Sequence, residues 1–276
     1  MGSVGAELLL LRKRAATWIL LAVAIFLSLL FTYLLPYSSY LSEPAAGRTA
    51  ADLRALLPES VVSSVLGGFP FYFGTLALIL GALVFGSEYG WGTLKTSLMQ
   101  HPGRLRLFLA KEVAIVAALA LFVGSIFVVG AFASYVVAVR EGAAITWPPV
   151  WDAVRALGAG WLILTLWALF GGLLAVLSRG TALAIGLGIV YGLVVEGLIS
   201  GFGSSLQVLQ DVTQGFLRTN GYSLVAPLRD EVVEVGGPGA FSGPFVDAWQ
   251  ALLVITAYLF VFGGISALIL QRRDVT

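Results

Sequence analysis

The chain has 276 residues, 59% hydrophobic and only 11% charged, with 16 Lys and Arg against 15 Asp and Glu and a mean hydropathy of +0.95. Soluble domains carry roughly 25% charged residues, so this is the composition of a membrane protein, and no basic face is left over to bind nucleic acid. The absence of Cys excludes disulfides and thiolate chemistry, and one His with two Met leaves no soft or imidazole-rich metal site.

At the N-terminus, "VGAELLLLRKR" can form an amphipathic helix on the membrane surface, with Arg12, Lys13 and Arg14 at the head groups; a disordered basic anchor is the alternative reading. The apolar run that follows, Thr17–Pro36, is longer than the core of about 7–15 residues that a signal peptide carries. No A-x-A site follows it, so it reads as a retained first span. In "TAADLRALLPES", Thr49 is placed to cap a short helix with Leu53, Leu56 and Leu57 on one side and Pro58 after it. Further apolar runs at Gly68–Phe85, Val113–Val139, Leu157–Leu177, Thr181–Ser200 and Trp249–Leu270 approach or exceed the roughly 20 helical residues that cross a bilayer. Between the fifth and sixth spans, segment 201–248 contains "SLQVLQDVTQGFLRTNG". There Leu206, Leu209, Val212 and Phe216 share one face, as in an interfacial or re-entrant helix. "EVGGPGAFSGP" is loop by its Gly and Pro content.

These elements predict an all-α integral membrane protein, a single domain over residues 1–276 with six transmembrane helices and both termini on one side. Lys and Arg are densest in the segments that hold Arg12, Lys13, Arg14, Lys95, Arg104, Arg106, Lys111, Arg179, Arg272 and Arg273. By the positive-inside rule those segments, and therefore both termini, are cytoplasmic.

The chemistry is defined mostly by what is missing. A P-loop needs Gly-Lys-[Ser/Thr], whose amides and Lys hold phosphate, and none of the three lysines, Lys13, Lys95 and Lys111, follows a Gly. Ser–His and metal-dependent hydrolysis lack parts with His101 as the sole imidazole, and no Lys is expected within a span. The chain therefore reads as a non-enzyme. The most polar stretch, "FGSEYGWGTLKTSLMQHPGRLRLFLAKE" (Phe85–Glu112), separates the second and third spans. Gly86, Gly90 and Gly92 permit a sharp turn, and Thr93 can cap a short helix with Leu94, Leu98 and Met99 on one side and Lys95 on another. Pro102 ends that helix and Arg104 meets the head groups. Spacing alone leaves two readings, an ordinary basic loop or a projecting helix that a peripheral subunit could grip.

The residues "EYGWGTLK" at Glu88–Lys95, "PGR" at Pro102–Arg104 and "LAK" ending at Lys111 resemble the first cytoplasmic loop of ABC-2 type transporter permeases. In that family Gly103 is usually a small polar residue. The order of parts is similar over nearly the whole chain, while the sharp motif lies in Glu88–Lys111. The resemblance implies an ABC-2 (type V exporter-like) permease fold in a bacterial or archaeal plasma membrane. It implies two cytoplasmic ABC ATPase subunits that carry ATP and Mg, no cofactor in this chain, and a second permease copy, identical or paralogous. Glu88, Gly92, Thr93, Leu94, Lys95, Leu98, Met99, Pro102, Arg104 and Lys111 would then form the coupling loop through which ATPase motion drives export of an amphipathic or lipid-like substrate.

Two further expectations concern the fifth span. Gly188-x-x-x-Gly192 and Gly197-x-x-x-Gly201 have the spacing of close helix contacts, either at a dimer interface or within the subunit. Glu196 is the only charged residue within the six expected spans. It is read either as an interfacial or protonated carboxylate or, near Tyr191, as part of an outer gate facing the cleft between subunits. A membrane anchor or scaffold without a translocation path is the alternative function.

Overall fold

A computed structural model describes residues 3–44, 47, 49–90, 92, 103–203, 211–229 and 246–272; for 200–203 it describes the backbone only. Among the described residues every regular element is helical, and six helices are long and apolar enough to cross a membrane: Ala15–Ser42, Phe69–Gly90, Arg104–Glu141, Val150–Ser178, Thr181–Ile199 and Ala248–Arg272. The protein is thus multi-pass. Its N-terminal helix, Ser3–Lys13, buries Glu7 and Leu11, four residues apart on one face, and packs on the start of the third span. Contacts from Lys111 to Glu7 and Glu88, and from Arg104 to Gln271, gather that helix, the end of the second span, the start of the third and the end of the sixth. We call this the termini end and its opposite the far end.

Five of the six helices run past the expected apolar runs at one or both ends, and the fifth, Thr181–Ile199, stays within its run. The first passes Pro36 and continues to Ser42 because a wider turn at Leu29–Leu34 precedes the proline, the Leu35 N–H donating five residues back to Leu30. A ring that would break a regular α-helix is accommodated where the ladder has already slipped. Equivalent wide turns occur at Phe69–Phe73 and Val190–Val195. The third helix starts nine residues earlier than Val113, so Lys111 and Glu112 lie inside it. The expectations that no Lys lies in a span and that Glu196 is the only charge there are both corrected. Charged residues escaped the hydropathy reading because they lengthen a helix without adding apolar character.

The second and fourth spans form the centre. Their most apolar windows are 72% and 67% buried, against 17–39% for the other four. Glycines allow this. A Cβ on Gly81 would overlap the Ala168 carbonyl, and one on Gly171 would overlap the Leu78 carbonyl, so the two backbones touch reciprocally. Phe85 and Trp167 then fill the spaces over Gly172 and Gly74. Gly86, expected to help the chain turn, is instead helical and packs on Thr181 and Ala175. Only Gly92, with φ +64°, takes a left-handed conformation there. As expected, Thr49 caps Ala50–Arg54, in a reciprocal capping box with Asp52. The chain then passes through Pro58–Ser60 into the fully buried Val61–Leu66 helix.

Candidate functional site

At the termini end, three charged side chains from three separate helices converge. The Lys111 ammonium lies 2.8 Å from Glu88 and 3.5 Å from Glu7. All three residues are buried, at 4%, 8% and 6% exposure. Leu107, Lys111 and Ala114 share the buried face of the third span; Glu88 comes two residues before the second span ends at Gly90. A void of only 10 Å³, lined in part by Phe85, Glu88, Phe108 and Lys111, borders the cluster, at the lower limit for one water. Two carboxylates around one ammonium fix each other's positions strongly, since losing the shared cation would strand buried charge. The neighbouring bases hold further helix ends: Arg14 donates to the Leu83 carbonyl at 3.1 Å and Arg104 to the Gln271 carbonyl at 3.4 Å.

Of the expected coupling-loop residues, the structure therefore brings Glu88 and Lys111 together, places Gly92 in the turn after the second span, and puts Arg104 at the first position of the third. Thr93, Leu94, Lys95, Leu98, Met99 and Pro102 lie outside the described residues. Glu7 was not anticipated. It is the one carboxylate of its helix and shares a face with Leu11, a pattern that marks a charge turned toward protein rather than water.

At the far end, Glu196 is 1% exposed and accepts hydrogen bonds from the backbone N–H groups of Leu217, at 2.7 Å, and Arg218, at 3.1 Å. These are the first two residues of the helix Leu217–Val225, whose own cap residue, Phe216, supplies no side-chain acceptor. Glu196 thus caps a helix from a distant segment, satisfying two amides that a helix start leaves without intrahelical partners. Arg218 completes the link by donating to the Gly192 carbonyl at 3.3 Å and stacking over Phe71 at 5.2 Å. The Tyr258 hydroxyl ties the chain just before that helix to the sixth span by donating to the Gly215 carbonyl, 2.8 Å away. The cleft-facing position expected for Glu196 is corrected: the carboxylate is enclosed within its own subunit, and Tyr191 beside it packs on Phe170. Of the face expected to hold Leu206, Leu209, Val212 and Phe216, only the last two are described; Phe216 is buried and Val212 is exposed.

The glycine pairs divide. Gly188 packs beneath Leu78, and a Cβ on Gly192 would come 3.1 Å from Trp167, so both sit inside the subunit and the dimer-contact expectation is corrected for them. Gly197 faces open space, and only the backbone of Gly201 is described.

Replacing Glu196 by Ala should leave two buried amides without an acceptor, at about 1–3 kcal/mol each. The unfolding midpoint in detergent should fall, and the Leu217 and Arg218 amides should lose protection from hydrogen exchange. Glu196→Gln, which keeps an acceptor oxygen, should fall less. Unchanged protection in Glu196→Ala would remove the capping role.

A family model described as "Protein of unknown function (DUF2705)" matches residues 19–276. No curated protein matches the chain.

Proposed function

We propose that this chain, which belongs to the DUF2705 family of unknown function, is the permease subunit of an ABC-2 type transporter. In this reading it forms the translocation path and hydrolyses nothing itself. Two cytoplasmic ATPase subunits bind ATP and Mg, a second permease copy completes the path, and the assembly resides in a plasma membrane with both termini in the cytoplasm. The cargo is amphipathic or lipid-like, in keeping with the apolar spans.

The observation that carries this reading is the buried cluster of Glu7, Glu88 and Lys111 at the root of the Phe85–Glu112 segment. The two spans that the segment joins are clamped to each other and to the N-terminal helix. A push delivered to the segment would then pass to three helices as one body rather than dissipate in a loose loop. The reciprocal glycine contact between the second and fourth spans would extend that body to the centre of the subunit.

Leu94→Asp with Leu98→Asp provides the test. Charges placed in an apolar docking groove without partners cost several kcal/mol, so the ATPase should dissociate or its turnover should stop responding to cargo, while membrane insertion survives. Normal coupling in the double variant, or failure of any ATPase to copurify with the unaltered chain, would overturn the proposal; the second outcome would favour a membrane scaffold.

A further inference from the structure

One acidic side chain of the spans has no part in the sites above. Glu112 follows Lys111 in the third span, about 100° further round the helix, and so lies on a different side from the Glu7 and Glu88 contacts. It packs against Gly263 of the sixth span: a Cβ built on that glycine would come 2.8 Å from the Glu112 Oε1. That oxygen is enclosed without a hydrogen-bond partner among the described residues, although the residue as a whole is only half-buried.

A second contact fixes the geometry, because Arg104 donates to the Gln271 carbonyl between the same two helices. Arg104 and Glu112 are eight residues apart on the third span, as are Gly263 and Gln271 on the sixth. The two helices therefore lie antiparallel in one register, with the carboxyl about 12 Å deeper than the guanidinium end. Both pack more on the fourth span than on each other, which leaves a groove between them that opens toward lipid. The Trp161 indole, donating to the Val116 carbonyl at 2.9 Å, holds the fourth span behind that groove one turn beyond Glu112. Leu109, one turn before Glu112, is 47% exposed, and Phe260, one turn before Gly263, is 77% exposed. At Gly264 a Cβ would meet nothing within 4 Å.

No cation of the described residues answers this carboxyl. Between Trp249 and Gln271 the sixth span has Tyr258 as its only titratable residue. On the fourth span the charges Asp152 and Arg155 pair with each other in its first turns, at the far end, and Lys111 is held by Glu7 and Glu88. A carboxylate withdrawn from water has to be met by a proton or by a cation. We infer that Glu112 is the recognition point for an amphipathic cation that enters from the bilayer, its positive nitrogen at the carboxylate and its apolar tail along Leu109 and Phe260. A metal ion would need further ligands, and among the described residues no group of three acidic or imidazole side chains could supply them. An anion has the wrong sign, and an uncharged lipid would leave the carboxylate unanswered. The inference concerns binding alone and stands whether or not the protein is a permease.

The test is binding of radiolabelled dodecyltrimethylammonium, whose charge is permanent, to the full chain in phosphatidylcholine nanodiscs. The expected result is one saturable site per chain above the uptake of empty nanodiscs, without competition from dodecanol, which has the tail but no charge. Glu112→Gln keeps the shape and should weaken binding at least about tenfold with the unfolding midpoint unchanged. Gly263→Ala, which puts a methyl group against Oε1, should also weaken binding, whereas Gly264→Ala should bind like the parent. Equal binding by the parent and Glu112→Gln would overturn the inference and leave the carboxyl holding a proton alone. Full competition by dodecanol would overturn it too, since it describes a site for the tail without the charge.

Discussion

Lys111→Met should destabilise the protein by about 3–5 kcal/mol, because it leaves the Glu7 and Glu88 carboxylates buried beside each other without their shared cation. The readout is the unfolding midpoint in detergent. The N-terminal helix should detach first, exposing Glu7 and Leu11, which a protease acting near Lys13 would report. Adding Glu7→Gln and Glu88→Gln to Lys111→Met should restore most of the loss, since replacing a whole buried ionic cluster by neutral groups is often close to neutral. Under the permease reading, that restored protein should fold yet couple poorly. If Lys111→Met alone is as stable as the parent, the cluster does not clamp the three helices.

A second large effect is expected at the contact between the second and fourth spans. In Gly81→Val the new side chain would meet the Ala168 carbonyl, and in Gly171→Val the Leu78 carbonyl. Backbone cannot yield as a flexible side chain does, so each single change should cost at least the 1–3 kcal/mol or so typical of overpacking. The two together should prevent recovery of monodisperse protein. Gly124→Val and Gly186→Val make the comparison, because a Cβ at either position meets nothing within 4 Å. Both controls should behave like the parent. Equal stability of Gly81→Val and Gly124→Val would contradict the close approach.

The six spans were legible because each needs only length and apolar composition, properties of a local window. The Thr49 cap was legible for the same reason, since an N-cap and its partner lie three residues apart. The third span shows the limit: its apolar window marks the membrane crossing, but its nine-residue extension to Arg104 is held by packing and by Lys111 reaching two other helices. The glycine pairs show another. Spacing says that Gly188 and Gly192 lie on one face, and nothing local says whether Leu78 and Trp167 or a second subunit will cover it.

The sequence by itself determined the membrane class, the six crossings, the capped helix near Thr49 and the polar segment between the second and third spans, all set by composition and by neighbours a few residues apart. Only the tertiary structure decided that Gly81 and Gly171 bring two backbones into contact, that Glu7 joins Glu88 and Lys111, and that Glu196 caps the Leu217–Val225 helix rather than facing a cleft. Those partners are 21 to 104 residues apart in the chain. The physical reason is that a buried charge or an uncapped helix end must find a partner, while its local sequence states only the need and the packing of the spans selects which group meets it.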